Sequence, residues 1–284
     1  MIKLKTGPAI LSRISLSVAV ILAMGFFASR AQAQDGKKLD APVAAPAPSQ
    51  TRAPAPPSAM KAAILRKAEV AYYILQSQGV KAFQCNIQPN WAQIVTDPAK
   101  LAVVRHVQYA TVIDPQGAIQ ATPFIANGLA IDPSVQDLAA DLQQTVVGFF
   151  QTWNSLVLSP VFSPTDDAQL VYSSQADGYH FAQKTTDANV DIVMTKDGVI
   201  TEMKVTTPSS VIAMQPMYIP TENGLLLSSI NSDIDHGKQK VNFQIQYQTV
   251  DGFEVPEIVA YQVTLPSQVV SIDMGFSGYQ IVKQ

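Results

Sequence analysis

Three histidines, one cysteine and a few acidic pairs are the side chains of this 284-residue chain that could carry chemistry. A zinc site needs His or Cys ligands at short spacing, and His106, His180 and His236 each stand apart from a second such ligand. His180 falls between Tyr179 and Phe181, so alternation puts it on the wet face of a strand. Asp233, Asp235 and His236 lie together in SDIDHGK, the one compact polar cluster. A calcium loop would need more oxygen ligands at regular spacing, so this string reads as a solvated hairpin loop. Nucleophilic chemistry fares no better. The closest string to G-x-S-x-G is Gly275-Phe276-Ser277-Gly278, whose spacing is wrong. Cys85 has no partner within the chain; it reads as a buried thiol acting as a small hydrophobe, with an intermolecular bridge as the alternative. Asp166-Asp167 follows Ser163-Pro164-Thr165 and reads as a turn, and glycine-rich phosphate loops are absent. Paired carboxylates can meet from distant strands. Even so, the expectation is a protein without catalysis, bound metal or cofactor.

The unusual residues are apolar. Met194, Met203, Met214, Met217 and Met274 are spread through the second half, and Phe149, Phe150 and Trp153 share one helical stripe. Methionine is flexible and polarizable, and suits surfaces that accept varied apolar shapes. Phe149, Phe150, Trp153, Met194, Met203, Phe243 and Met274 are therefore the candidate lining of a hydrophobic ligand cavity.

Those residues need elements to position them. Apolar residues at helical spacing from Ile64 to Leu75 predict a helix starting near Ser58 and ending at Gly79. VKAFQCNIQ alternates, with Phe83, Cys85 and Ile87 on one face, and HVQYATVIDPQG predicts a further strand turning at Asp114–Gly117. A second helix is expected from Ser134 to Leu156, carrying the stripe that includes Phe149, Phe150 and Trp153. From residue 168 onward strand and turn dominate. Asp177-Gly178, Asp197-Gly198, Asn223-Gly224 and Asp251-Gly252 separate alternating runs such as Val259, Tyr261, Val263, Leu265 and Val270, Ile272, Met274, Phe276. One face is dry and the other wet. A meander of about eight strands curls on itself. The expected class is α+β, mainly antiparallel β: a curled, unclosed half-barrel with one or two helices on its concave face.

The N-terminus carries Lys3, Lys5 and Arg13, then an apolar run from Ile14 to Phe27, then Ala31-Gln32-Ala33. That layout predicts a cleaved signal peptide over residues 1–33. The run falls short of the ~20 residues that span a bilayer, so no stable membrane span is expected after cleavage. Residues 34–58, rich in Pro and Ala, predict a disordered tether, and residues 59–284 a single domain. Cleavage removes four of the 19 basic side chains, leaving 15 against 22 acidic ones. That balance argues against nucleic-acid binding, which clustered Lys and Arg drive. The expected location is the periplasm or the exterior.

DANVDIVMTKDGVITEMKVTT (187–207), the run YQTVDGFEVPEIVAYQV and the closing VVSIDMGFSGYQI resemble segments of periplasmic outer-membrane lipoprotein-sorting proteins, the LolA-like group. The opening helix leading into KAFQCNI is similar as well. The resemblance implies an unclosed β-barrel with helices over its opening and acyl chains in the hollow. It therefore implies a non-catalytic carrier whose partner is a lipid or an acylated lipoprotein. The alternative is an envelope interaction or regulatory protein that uses the fold without cargo. Arg105 is the nearest candidate for the arginine that closes the lid in the family's carrier, though the residues around it differ from that pattern. The stretch Asp97–Pro133 and the tether depart from the basic carrier pattern.

Overall fold

The computed structural model describes residues 58–159, 171–175, 177–184 and 188–284. The expected signal peptide, the tether up to residue 57 and the Asp166-Asp167 turn lie outside them.

Alternating runs separated by tight turns form hairpins, and consecutive hairpins share strands. The described strands are β1 (Val80–Pro89), β2 (Val107–Ile113), β3 (Ile119–Ile125), β4 (Val171–Gln175), β5 (Gly178–Lys184) and β6 (Asn189–Thr195). They continue with β7 (Ile200–Thr206), β8 (Val211–Thr221), β9 (Gly224–Ile234), β10 (Gln239–Val250), β11 (Phe253–Leu265) and β12 (Gln268–Lys283). Together they make one antiparallel sheet in the order β3-β2-β1-β12-β11-β10-β9-β8-β7-β6-β5-β4. β3 and β4 are its two edges, so the barrel is not closed. The turn dipeptides sit where alternation placed them; Asp251 and Gly252 take φ of 54° and 88°, the left-handed pair of a tight hairpin. Val259, Tyr261 and Val263 are buried, as are Ile272, Met274 and Phe276, while Gln244, Gln246 and Gln262 face outward. The dry face and the wet face are thus as alternation assigns them.

Three α-helices accompany the sheet among the described residues: α1 (Ser58–Ala71), α2 (Pro98–Val104) and α3 (Gln136–Trp153). Asp97 caps α2, accepting from the amides of Ala99 and Lys100, and Pro98 supplies the first-turn residue that needs no donor. A short 3₁₀ turn (Pro133–Val135) leads into α3, and Asp132 accepts from the Ser134 amide at its start. The Ser134 hydroxyl and amide hold the Asp132 carboxyl below its usual range. α3 continues into a π-type turn over Asn154–Leu158, so the helical stretch reaches slightly past the expected end at Leu156.

The first helix departs from expectation. It stops at Ala71 rather than running to Gly79. Tyr72, Tyr73, Ile74 and Leu75 are all buried, which a helix with one dry face does not allow. These four leave the helix as an extended strap. The Tyr73 amide donates to the Leu225 carbonyl at 3.0 Å, and the Leu75 and Gln76 amides donate to the Val157 and Leu158 carbonyls at 2.8 and 3.0 Å. One strap thereby ties β9 to the π-turn after α3.

The strap occupies a place where the sheet divides. β9 and β10 pair from Ile234↔Gln239 only as far as Ser229↔Gln244, although both strands continue beyond that point. At this level each flanking hairpin carries a bulge. Met217 pairs Ser229 and Tyr218 pairs Leu227, leaving Ser228 extra; Gln246 pairs Ile258 and Tyr247 pairs Pro256, leaving Glu257 extra. A bulge bends its strand and adds twist, so two at one level turn the β8–β9 and β10–β11 hairpins apart. On the dry side the gap is bridged: Tyr247 donates to the Leu227 carbonyl at 2.6 Å, and the Glu254 amide donates to the Tyr73 hydroxyl at 2.8 Å.

Gly224 opens β9 against this strap with φ of +119°. A Cβ there would stand 2.8 Å from the Tyr72 carbonyl carbon and 2.9 Å from the Tyr73 nitrogen. Gly224→Ala is expected to cost about 2–4 kcal/mol through backbone strain and displacement of the strap. A urea titration checks this as a lowered midpoint at unchanged slope.

Candidate functional site

The hollow of the curled sheet is where the candidate cavity residues meet. Phe149 and Phe150 lie on α3 with ring centroids 5.1 Å apart. Phe149 contacts Phe243 of β10 and Phe276 of β12, each at 5.7 Å, and Phe150 contacts Phe276 at 5.8 Å. Trp153 stands edge-on to Phe150 at 6.0 Å and to Phe83 of β1 at 5.8 Å. Phe243 in turn lies 4.9 Å from Tyr261 of β11. Tilted and edge-on pairs of this kind add about 0.5–1.5 kcal/mol each beyond the area they bury. The result is a continuous aromatic knot joining α3 to four strands.

Six of the seven candidates (Phe149, Phe150, Trp153, Met194, Phe243 and Met274) are at most 2% exposed, and Met203 is half-buried. They belong to one continuous buried core, with Met203 packed against it. Phe83, Phe276 and Tyr261 belong to the same cluster and were visible in the sequence only as members of alternating strands. Trp153 Nε1 donates to the Tyr247 hydroxyl at 3.2 Å, which carries the knot to the bridged gap between β9 and β10. Burial pushes the Tyr247 and Tyr261 hydroxyls well above their ordinary range, so both stay protonated. Among the described residues, buried polar atoms without a partner on this side include Thr145 Oγ1 and Gln151 Oε1 on α3, Thr111 Oγ1 on β2 and Tyr261 Oη on β11.

The residues with chemical potential are dispersed. His180 is on the wet face and its Nε2 lies 3.1 Å from Asp191 Oδ1. In the β9–β10 loop, Asp235 accepts from the Val211 amide and the Ser210 hydroxyl, and those two bonds lower its carboxyl's pKa. Asp233 accepts from the Gly237 amide across the same turn. SDIDHGK is thus a self-capped hairpin loop with Asp235 and His236 at positive φ. Arg105 follows α2, exposed, with Nε donating to His106 Nε2 at 3.0 Å. Among the described residues no group of His, Cys, Asp and Glu is arranged to hold a metal ion, and no helix is long and apolar enough to cross a membrane. Cys85 is free and buried on β1; burial pushes its thiol up to about 12, against the smaller opposing effect of a hydrogen bond with the Tyr279 hydroxyl.

Among the described residues, open hollows lie elsewhere, two of them on the surface. One sits beside α2 between Gln88, Trp91, Leu101 and Arg105. The other lies on the outer face at the division of the sheet, lined by Met217, Ser229, Gln244, Gln246 and Ile258 among others. The second was not legible beforehand, because its walls converge only through the paired bulges.

No family model, curated protein or solved structure matches this chain.

Phe149→Ala is expected to destabilise the domain by about 3–5 kcal/mol, and Phe149→Asp to prevent folding, because the new carboxylate would be buried without a partner. Circular-dichroism melts of both variants beside the parent measure this. Cys85 is expected to resist a maleimide at pH 8 in the native state and to react fully in denaturant, since the native thiol has almost no thiolate at that pH. Intact mass before and after unfolding gives the readout.

Proposed function

We propose that this protein is an exported, non-catalytic interaction or regulatory protein of the cell envelope, a cargo-free use of the curled-sheet fold. The observation that supports this reading is the buried aromatic knot: rings of α3 pack directly against rings of the sheet, with Phe150 and Met274 fully buried. Displacing such a plug forfeits several large burials, each worth about 1.5–3 kcal/mol. The wet face supplies the alternative contact area, with Met217, Ile219, Ile258 and Val269 exposed on strands otherwise lined by amides and hydroxyls. Isolated exposed aliphatics are ordinary, whereas Met217 and Ile258 line one hollow together and so favour a contact surface there.

One observation favours a second reading, that of an acyl-chain or lipoprotein carrier whose helix yields to cargo. Thr145 and Gln151 of α3, and Tyr261 beneath, leave buried polar atoms unpartnered. Each such atom costs about 1–3 kcal/mol, which weakens the seat of the helix. Native mass spectrometry of the protein from its own source, with uptake of a fluorescent fatty acid, separates the two. The expected result is a clean apo mass and no uptake. Co-purifying lipid, or saturable uptake, overturns the cargo-free reading in favour of the carrier.

A further inference from the structure

We infer that the cleft on the outer face, where the β8–β9 and β10–β11 hairpins part, is a binding site for a neutral saccharide chain. It lies on the opposite side of the sheet from the hollow and deepens the interaction reading, naming a saccharide as what Met217 and Ile258 of the wet face meet.

The cleft is built by the paired bulges. Ser228 and Glu257 are their extra residues, and Ser229↔Gln244 is the last pair before β9 and β10 separate. Bulges recur beside binding sites because they re-aim side chains and end pairing. The space measures about 320 Å³, at the small end of ligand sites. Met217 and Ile258 form aliphatic walls, 52% and 37% exposed. Gln244 and Gln246 supply exposed amides, and no charged side chain lines the cleft. Ser229 lies at its base, 6% exposed, and its hydroxyl is buried without a partner. A buried hydroxyl without a partner is uncommon, and this one belongs to a residue that lines the cleft.

The chemistry of the lining selects the occupant. Each amide offers both a donor and an acceptor, and a hydroxyl does likewise, which is the pairing that sugar hydroxyls require. Absence of cations in the lining removes the attraction for phosphates and carboxylates. The two aliphatic walls match the C–H faces of a pyranose ring. A peptide strand added to a sheet needs the main-chain groups of an edge, whereas this cleft opens on a face and offers side chains.

The surface next to the cleft extends the same chemistry. One register away, Gln215, Asn231, Asn242, Gln262 and Ser271 stand opposite one another across β8, β9, β10, β11 and β12. Asn242 Nδ2 donates to Asn231 Oδ1, and Gln262 Nε2 donates to Ser271 Oγ at 3.3 Å. Neighbouring strands are about 4.8 Å apart, close to the length of one pyranose unit. A chain lying across the strands would therefore meet an uncharged hydrogen-bonding group at each sugar.

The test titrates the isotopically labelled protein with maltotetraose, cellotetraose and chitotetraose, reading amide shifts by NMR and affinity by calorimetry. Saturable shifts confined to the cleft and the amide row are expected for at least one of the three. Gln244→Ala and Gln246→Ala should each weaken that binding about fivefold, with unchanged melting temperature. Gln120→Ala, on the distant edge strand β3, should leave it unchanged. Absence of saturable shifts with all three sugars overturns the proposal. So does affinity as strong as the parent's in both cleft variants, or shifts that map elsewhere on the molecule.

Discussion

One constraint governs this molecule: the dry face of a twelve-stranded sheet has to be taken out of water by very little else. Apolar burial is worth about 25 cal/mol per Å², and a sheet of this width left open would expose far more apolar surface than a monomer tolerates. Curling solves part of the problem, since twist accumulates over successive strands and turns the dry face inward on itself. One long helix solves most of the rest. Because α3 is the principal cover, its stripe has to be wide and bulky. Phe149, Phe150 and Trp153 lie within a single turn and reach rings from β1, β10 and β12. The strap after α1 completes the cover. It uses its backbone as strand and its side chains as core, which explains why four consecutive residues there are buried.

Much of this was legible in the sequence. Period-two alternation with Asp-Gly and Asn-Gly turns specifies hairpins locally, and β4 to β12 follow from it. The stripe on α3 was equally plain. What the sequence concealed depends on contacts between distant segments. Tyr72 to Leu75 continue a helical pattern in isolation; only Leu225, Val157 and Leu158, all far along the chain, supply the hydrogen bonds that pull them out of the helix. Bulges leave no mark of their own, since Ser228 and Glu257 are ordinary strand-compatible residues and only the register of the partner strand reveals them as extra. The cleft was hidden for that reason. The aromatic group was visible as a group, but whether it lined a void or filled one is a matter of volumes meeting across the fold, which residue types do not encode.

The two faces of the sheet have taken on different physical tasks. Inside, dispersion and area burial dominate, and the few polar atoms are either bridged, as between Tyr247 and Leu227, or left without partners. Outside, between β8 and β12, amides and small hydroxyls outnumber the charged residues, of which Asp233, Lys240, Glu257 and Asp273 are examples. The bulge pair is where these tasks touch. It lets the strap bond to the sheet from within and opens a cleft without.

The pairing of β12 with β1 gives the molecule a distinctive assembly history. The final strand is not an edge; it lies between β1 and β11, with Lys283 opposite Val80. Until β12 is available, the β1–β3 unit has no seam to join, and Phe83 lacks its β12 neighbours Tyr279 and Ile281. Contacts spanning nearly the whole sequence make for slow folding and long exposure of sticky intermediates. A chain synthesised from β1 onward would have to wait for β12 before β1 gained this partner. Nascent copies should therefore depend on holding chaperones more than the finished fold's stability suggests, and loss of the last strand should divide the sheet into two pieces rather than merely shorten it.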